Sequence, residues 1–270
     1  MSSTFGILAF PAAHSRSPEM YLAAFQQLKI TASFERYAIA PPELNTFFDQ
    51  NFRTARKIDG LAVSIPHKEA VIPLLDMIES AAQKIGAVNT VYWQEDKLCG
   101  ANTDAIGFSQ ALREHFEVEG QKVLVLGAGG AARAVIYALL QDRADQIIIV
   151  NRSVEKAREL AREFGVQWKT LEDLRPEEYE LVINTTPLGM TGAHEEESPL
   201  PADFWRAHLT AFDIVYTPRK TKFLREAEAA GAQIISGEKM FLYQGMAQFE
   251  ILTEQKAPRE AMKKAITNEE

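Results

Sequence analysis

The sequence predicts an α/β protein of two domains, the second built on a mostly parallel, doubly wound sheet. Short β-rich runs alternate with helical patterns along most of the chain, which is typical of parallel strands joined by helices. The 270 residues exceed what one compact core usually holds and suffice for two modest domains. A composition of 46% hydrophobic and 24% charged residues is ordinary for a globular protein and excludes disordered and fibrous classes.

In the first hundred residues, strands and helices alternate and a hairpin follows. Apolar side chains at helical spacing predict a helix over 17–29, and Pro41 with Pro42 predicts a helix start that continues to about residue 56. Another short helix is predicted directly after Pro66. Strands are predicted at 5–10, 34–39 and 61–65, and the two hairpin strands at 88–93 and 97–100.

The second domain begins with a helix predicted over 105–116. The apolar run 122–126 is typical of a strand buried on both faces, and it forms a βαβ unit with the next helix and a strand at 146–150. The last predicted helix, about 239–254, could pack on either domain. Further strands, separated by helical segments, are predicted at 180–184, 212–215 and 233–235.

Charge and composition narrow the range of partners. The net charge of −8 argues against binding nucleic acid, which depends on neutralising phosphates with Lys and Arg. The sequence has no apolar run near the roughly 20 residues of a membrane helix, and its first residues lack the pattern of a secretory signal. The single cysteine, Cys99, suits a reducing cytoplasm, and five scattered histidines offer no metal-ligand spacing. We therefore expect a cytoplasmic protein that binds no nucleic acid, membrane or metal.

A glycine-rich turn between the strand at 122–126 and the next helix predicts a dinucleotide site. The first glycine of such a turn allows a tight bend, and the second lets the backbone approach a pyrophosphate. The helix N-terminus adds N–H donors and positive potential. Similar turns also serve as plain connectors, but the βαβ context favours the dinucleotide. The turn consists of Gly127, Ala128, Gly129, Gly130 and Ala131.

The residues after the second strand of this unit indicate which dinucleotide is bound. An NAD site normally places a carboxylate there to bind the ribose hydroxyls. Here Asn151, Arg152 and Ser153 occupy the position, and the first acid is Glu155. A guanidinium binds a 2′-phosphate that a carboxylate would repel, so the sequence predicts NADP. Alternatively, Arg152 and Lys156 are ordinary solvated charges at a helix start.

Two serines between the first strand and the first helix could bind a carboxylate. Ser15 and Ser17 flank the helix N-terminus, where hydroxyl donors and the helix dipole favour an anion. Ser17 also precedes Pro18, so it could instead be an ordinary N-cap with proline at the first helical position. The sequence leaves both interpretations open.

Polar residues at strand ends predict a ligand site in the first domain. Lys68 lies just beyond a strand, at the predicted start of a helix whose positive end would favour the neutral amine that proton transfer requires. Asn89 and Asp104 stand where mainly apolar strands finish, so they are either turn-formers or ligand contacts. In the second domain, Thr186 follows a predicted strand near the expected cofactor.

Together these segments resemble the shikimate dehydrogenase family. The similarity follows one order over nearly the whole chain, and eight segments in register make it specific. The segments are SRS at 15–17, VSIPHK at 63–68, GAVNT at 86–90, NTD at 102–104, GAGGA at 127–131, NRS at 151–153, DIVYTP at 213–218 and GEKMFLYQ at 237–244.

The resemblance implies an N-terminal α/β substrate domain and a Rossmann-like NADP domain, with the active site in the cleft between them. Residues 1–104 would form the catalytic substrate domain, to which 241–270 return, and residues 105–240 would form the NADP domain. The implied activity is the reversible NADP-linked reduction of 3-dehydroshikimate to shikimate in aromatic amino-acid synthesis. The expected assembly is a monomer or a homodimer.

The resemblance also implies roles for individual residues. Lys68 and Asp104 would flank the reacting hydroxyl and handle its proton, and which of them is the formal base stays open because coupled groups titrate as a pair. Substrate would be held by Ser15, Ser17 and Tyr216 at the carboxylate, and by Ser64, Asn89, Asp104 and Gln244 at ring hydroxyls. NADP would be held by Gly127, Ala128, Gly129, Gly130, Ala131, Asn151, Arg152, Ser153, Lys156, Thr186, Ile214 and Gly237.

Two departures from the family pattern bear on the substrate. The family usually has Asn at the position of Ala62 and Thr at that of Ser64, so this chain has fewer polar and methyl groups near the ring. A quinate/shikimate or related ring-acid dehydrogenase is therefore the alternative within enzymes. In a different class, the chain could be an NADP-binding sensor without catalysis, but both Lys68 and Asp104 are present, which argues against it.

Overall fold

The computed structural model describes residues 3–267, which divide into two compact units. The first unit contains the described residues up to Asp104 together with those from Leu242 onward, and the second contains Ala105–Phe241. The chain therefore leaves the first unit once and later returns to it.

The first unit is built on a six-stranded mixed sheet with the strand order β2-β1-β3-β5-β6-β4. Strand β1 runs parallel to both β2 and β3, and the predicted hairpin makes β5 and β6 antiparallel. A two-residue turn can join only antiparallel strands, so the hairpin accounts for the mixed sheet. The strands are β1 (Ser3–Ala9), β2 (Ala32–Ala38), β3 (Gly60–Val63), β4 (Met77–Ile78), β5 (Thr90–Gln94) and β6 (Lys97–Ala101).

The second unit is built on a six-stranded sheet with the order β12-β11-β10-β7-β8-β9, and its strand pairs are all parallel. Strand β7 is central, and the order changes direction there, as in a doubly wound fold. The strands are β7 (Lys122–Leu126), β8 (Gln146–Val150), β9 (Gln167–Trp168), β10 (Leu181–Asn184), β11 (Thr210–Asp213) and β12 (Gln233–Ile235).

Most helices start and end within a few residues of their predicted bounds, but α3 and α9 were not predicted. The boundary between the two units falls inside α8. The helices are α1 (Ser17–Leu28), α2 (Leu44–Phe48), α3 (Ser80–Ile85), α4 (Asp104–Arg113), α5 (Gly130–Gln141), α6 (Val154–Phe164), α7 (Lys222–Ala229), α8 (Glu238–Thr253) and α9 (Arg259–Thr267).

Two predicted helices of the first unit differ in the structure. The predicted helix 41–56 is a 3₁₀ turn, the short helix α2 and a π turn that ends at Arg53. The helix predicted after Pro66 is wrong: the chain forms turns there, followed by the 3₁₀ segment Ile72–Leu74. Pro73 explains the second difference, because it has no backbone N–H and its ring obstructs the preceding turn of an α-helix.

Each unit has its own hydrophobic core. In the first, Phe48 and Phe52 stack with ring centroids 5.0 Å apart among residues that include Leu61 and Val91. In the second, Leu124 and Val182 of the central strands are fully buried. The apolar run predicted to be a strand buried on both faces therefore lies in the core of the second unit.

Candidate active site

The first unit brings Lys68 and Asp104 together. The Lys68 Nζ donates to Asp104 Oδ2 at 2.5 Å, although the two residues are 36 positions apart. Lys68 lies in the turn after β3, so the expected help from a helix dipole at this residue is wrong. Asp104 instead begins a helix, α4. The two side chains are only 14% and 6% exposed, so they interact in a largely dry environment that strengthens the pair.

Asn89 orients the carboxylate of Asp104. Its Nδ2 donates to Asp104 Oδ1 at 2.9 Å and to Thr103 Oγ1 at 2.8 Å. Its Oδ1 accepts from the Thr103 backbone N–H at 2.9 Å and from Thr90 Oγ1 at 2.8 Å. With Oδ1 of Asp104 bound to Asn89, Oδ2 faces Lys68, so the amide fixes the direction in which the acid points.

Gln248 supports Asn89 and was not predicted from the sequence. Its Nε2 donates to the Asn89 backbone oxygen at 2.7 Å and to Thr90 Oγ1 at 3.0 Å. Its Oε1 accepts from the hydroxyl of the buried Tyr21 at 3.1 Å. Gln248 lies one helical turn after Gln244 on α8, which is the signal that could have identified it. Gln244 itself lies 3.5 Å from Asn89 Nδ2, within the same group.

His67 anchors the turn that carries Lys68. Its Nε2 lies 2.7 Å from the backbone oxygen of Ile39, and the residue is fully buried. Burial lowers the pKa of His67, so the imidazole is held neutral and donates this proton. The backbone oxygen of Lys68 also accepts from Val88 N–H at 2.7 Å. Both ends of the turn are therefore tied to neighbouring segments.

The structure resolves how α1 begins beside the two serines. Helix α1 starts at Ser17, and Arg16 occupies the N-cap position with no side-chain capping bond in the described chain. The N-cap interpretation of Ser17 is therefore wrong. Ser15 Oγ accepts from Ser17 N–H at 3.3 Å, which places both hydroxyl-bearing residues at the helix N-terminus.

Two arginines hold the loop that carries these serines. Arg36 donates to the Ser15 backbone oxygen at 3.0 Å. Arg16 donates to the carbonyls of Ile266 at 2.8 Å and Ala265 at 3.2 Å, which are in the last turn of α9. These carbonyls lack intrahelical donors, so a guanidinium satisfies them well.

Ser64 lies at the carboxyl end of β3, two residues after Ala62. Ser64 is half-buried, and its backbone N–H donates to the Leu8 oxygen at 2.9 Å. Ala62 is buried and has no polar side-chain group. The end of this strand therefore carries a small hydroxyl at Ser64 and no polar side chain at Ala62.

The glycine-rich turn of the second unit leaves room that the protein does not fill. Gly127 has φ 117, and a Cβ there would lie 2.4 Å from Thr185 Oγ1, so the protein itself requires this glycine. A Cβ on Gly129 would meet no described atom within 4 Å. Gly129 is the N-cap of α5 and provides no side-chain hydrogen bond to the first N–H groups of this helix, where an anion is favoured. The turn therefore fits a pyrophosphate.

The predicted 2′-phosphate residues follow β8 and lead into α6. Arg152 and Lys156 are exposed at the start of α6. Ser153 caps this helix by accepting from the Lys156 backbone N–H at 3.5 Å, and Asn151 Nδ2 donates to the Ser153 oxygen at 3.0 Å. These contacts hold the loop in a form that leaves the guanidinium of Arg152 at the surface.

The remaining predicted residues of the second unit follow β10 and β11. Thr186 Oγ1 donates to Asn184 Oδ1 at 2.7 Å, and Ile214 N–H donates to the Asn184 oxygen at 3.1 Å. A Cβ on Gly237 would lie 2.4 Å from the Ile214 oxygen, so the backbones meet closely there. The Tyr216 ring stacks on Phe241 with centroids 4.0 Å apart. Tyr216 therefore belongs to the second unit, whereas the other predicted substrate residues belong to the first.

Three family models match the chain in sequence order. They describe the shikimate dehydrogenase substrate binding domain at residues 7–91, shikimate / quinate 5-dehydrogenase at 109–197, and the shikimate 5'-dehydrogenase C-terminal domain at 237–267. A curated relative, shikimate dehydrogenase (NADP(+)) of Methanopyrus kandleri, is 39% identical over 279 residues, which cover 98% of this chain and 95% of the relative. The chain belongs to the shikimate dehydrogenase family.

Solved structures of shikimate dehydrogenases share its fold. One in complex with NADP+ has a TM-score of 0.90 and 36% identity, covering 98% of this chain and 94% of that one. The enzyme of Thermus thermophilus, solved with NADP(H) and shikimate, has a TM-score of 0.86 and 37% identity over 98% of each chain. The predicted fold class and family resemblance are therefore confirmed.

Membrane-spanning helices and clusters of metal-binding side chains are both absent from the described part of this shikimate dehydrogenase family member. Within residues 3–267, the structure contains no helix that is long and apolar enough to cross a membrane. Over the same residues, it contains no group of three or more His, Cys, Asp or Glu side chains arranged to hold a metal ion.

Proposed function

We propose that this protein is an NADP-dependent shikimate dehydrogenase that reversibly reduces 3-dehydroshikimate to shikimate. The observation that carries the proposal is the Lys68–Asp104 pair, oriented by Asn89 at the carboxyl ends of strands. Reduction of a ketone requires a hydride and one proton. A positioned ammonium and carboxylate can supply and accept that proton without a metal.

NADPH supplies the hydride when it is bound. The protein then has to hold the ring acid and move one proton at the oxygen that changes between ketone and hydroxyl. During reduction Lys68 Nζ gives a proton to that oxygen. The Asp104 carboxylate holds the ammonium in place, and solvent at the partly exposed Lys68 returns a proton to the neutral amine. In the reverse direction the same pair removes the hydroxyl proton. Because the two groups are 2.5 Å apart, they act as one unit.

The substrate residues are proposed by position. Ser15 and Ser17 bind the carboxylate at the N-terminus of α1, where donors and the helix dipole favour an anion. Tyr216 assists at the carboxylate. Ser64, Asn89 and Gln244 contact ring hydroxyls, and Asn89 also keeps Asp104 directed toward Lys68.

The NADP residues are proposed from the second unit. The backbone from Gly127 to Ala131 binds the pyrophosphate, for which the open space at Gly129 is suited. Arg152 forms a charge-assisted pair with the 2′-phosphate, with Lys156 beside it and Asn151 and Ser153 shaping the loop. Thr186, Ile214 and Gly237 complete the site on the segments that follow β10, β11 and β12.

The domain roles and setting complete the proposal. Residues 1–104 with 241–270 form the substrate domain, and residues 105–240 form the NADP domain. The protein is proposed to be a cytoplasmic monomer or homodimer that acts on small molecules. The net charge of −8 argues against nucleic acid as a partner.

A dehydrogenase that also accepts quinate is the second candidate. The small side chains of Ala62 and Ser64 leave more room and fewer polar groups for the ring at the end of β3. Initial rates with shikimate and with quinate, each with NADP+ and NAD+, distinguish the candidates. We expect the highest kcat/KM for shikimate with NADP+. A higher kcat/KM for quinate would replace the proposed substrate, and no turnover with any of the four combinations would favour a non-catalytic NADP-binding protein.

A further inference from the structure

A buried carboxyl group outside the proton-transfer pair lies at the end of β11. Asp213 is fully buried and accepts three hydrogen bonds. The donors are Thr221 Oγ1 at 2.5 Å, the Val215 backbone N–H at 2.9 Å and Asn184 Nδ2 at 3.0 Å. All three donors are uncharged, and burial raises the pKa of Asp213 to about 7.

Asp213 helps to determine the orientation of the Asn184 side chain, whose Nδ2 donates both to Asp213 Oδ1 and to the Leu188 backbone oxygen at 3.2 Å. Asn184 is the register neighbour of Asp213 on β10 and is also fully buried. An amide can be turned in either of two directions, but a carboxylate accepts hydrogen bonds and therefore requires the NH2 group to face it. The amide oxygen then faces the other way, where it accepts from Thr186 N–H at 2.9 Å and Thr186 Oγ1 at 2.7 Å.

The same carboxyl group also holds the segment after β11. Its Oδ1 accepts from both Asn184 Nδ2 and the Val215 N–H, so one atom joins the two loops. Val215 lies between Ile214 and Tyr216, two of the residues assigned to the active site. Thr221, the third donor, is the N-cap of α7 and ends this loop.

We propose that Asp213 is a positioning residue for NADP: through Asn184 it orients Thr186, and through the Val215 N–H it fixes the segment that carries Ile214. The inference deepens the proposed function and rests on it. Well-packed apolar residues can often replace a buried charged pair without loss of stability, so stability alone does not explain a buried acid. An acid that joins two ligand-bearing loops instead determines where their side chains lie.

The test compares two substitutions of Asp213 by calorimetric titration of the protein with NADP+ alone. Asp213→Ala removes the acceptor of the Val215 N–H and one of the two acceptors of Asn184 Nδ2, the other being the Leu188 backbone oxygen at 3.2 Å, so we expect NADP+ affinity to fall roughly five- to fiftyfold. Asp213→Asn keeps an oxygen at the Oδ1 position for both loop donors, with its NH2 group toward Thr221. Its affinity should therefore stay within about threefold of the wild type.

A double-mutant cycle separates positioning from general loss of structure. Thr186→Ala removes the hydroxyl that Asn184 orients and keeps the Thr186 N–H, so Asp213→Ala should weaken NADP+ binding less in that background, by the share that passes through Thr186 Oγ1. Asn184→Ala keeps the Val215 contact to Asp213 but should also weaken NADP+ binding, and less so in the Thr186→Ala background; it takes the place of Asp213→Ala if that variant does not fold. The control is Asp142→Ala, which removes a nearly buried acid that accepts from Ser109 Oγ at 2.8 Å and from Arg113, without contact to either loop.

Three results would overturn the inference while leaving the proposed function intact. These are unchanged NADP+ affinity in the Asp213→Ala and Asn184→Ala variants, equal losses in the Asp142→Ala control, and an unreduced loss in the Thr186→Ala background. A loss in Asp213→Asn as large as that in Asp213→Ala would show that the charge matters and not the acceptor geometry, which also overturns it. A wild-type protein that does not bind NADP+ would overturn both proposals.

Discussion

Asp104 in the first unit and Asp213 in the second are both buried acids that accept a hydrogen bond from an asparagine. Asp104 faces the Lys68 ammonium, and the Lys68 side chain retains 14% exposure. Asp213 faces a hydroxyl and two N–H groups and is fully buried. The two sites therefore differ in the group that faces the carboxyl opposite the asparagine: a partly exposed ammonium at Asp104 and a buried hydroxyl at Asp213.

This difference decides what each acid can do. A carboxylate beside an ammonium that reaches solvent can pass a proton to and from a ligand. A carboxyl surrounded by fixed neutral donors has no proton acceptor to serve, but it can determine how those donors are oriented. In the two proposals, the same pair of residue types serves catalysis in one unit and positioning in the other.

The largest expected effect comes from breaking the proton-transfer pair. Lys68→Ala should lower kcat about 10²- to 10⁴-fold, because positioned acid–base catalysis typically contributes that much. Asp104→Ala should have an effect of the same size, with a raised KM for shikimate. Steady-state rates with saturating NADP+ measure both.

The pair should also behave as a unit. The double variant should be little worse than the worse single variant, and NADP+ affinity should be retained because its proposed contacts lie in the second unit. Fully multiplicative losses would mean independent roles. Near-normal kcat in folded Lys68→Ala protein would remove this lysine from the mechanism.

Arg152→Ala tests whether the second unit recognises the 2′-phosphate. A hydrogen bond to a charged group contributes roughly 1.5–3 kcal/mol, so NADP+ affinity should fall about ten- to a hundredfold. NAD+ lacks the phosphate, and its affinity should change far less. Titrations with both nucleotides measure the difference, and equal losses would contradict the assignment.

The stability of the protein should depend on pH through Asp213. Its folded-state pKa, about 7, is raised above the ordinary value of 3.8. A raised pKa contributes stability that is fully present below the unfolded value and is lost as pH rises through the folded value. Relative to Asp213→Asn, the wild type should therefore lose about 3 kcal/mol of unfolding free energy between about pH 5 and pH 8.

Urea unfolding of the wild type and of Asp213→Asn at several pH values measures this change. The two curves should diverge as pH rises toward 7 and run parallel above it. Curves that stay parallel throughout would show that Asp213 does not titrate in this range, and would leave it an ordinary ionised acid.

The smallest expected effect is on the substrate anchor of the first unit. Removing both hydroxyls with Ser15→Ala and Ser17→Ala should raise the KM for shikimate about tenfold through lost donors to the carboxylate. The affinity for NADP+ should hardly change. Normal shikimate kinetics in the double variant would exclude the anchor, and a lower Tm without a kinetic effect would indicate a structural role.

Local patterns predicted much of this protein because their physical causes are local. The apolar run of β7, the glycine-rich turn and Arg152 were recognisable since each depends on neighbours within one βαβ unit. The order of the motifs then identified the family. Where a local rule met a competing residue it failed: Pro73 prevents the helix expected after Pro66, and α1 begins without a cap from Ser17.

The partners of the buried polar groups were decided by the tertiary structure alone. Gln248 reaches Asn89 across 159 positions of sequence, and Asn184 meets Asp213 because β10 and β11 pair in one register. Periodicity records which face of an element is apolar, but it carries no information about which distant side chain lies opposite. Strand register and helix packing determine those contacts, and through them the direction in which Asp104 and Thr186 point.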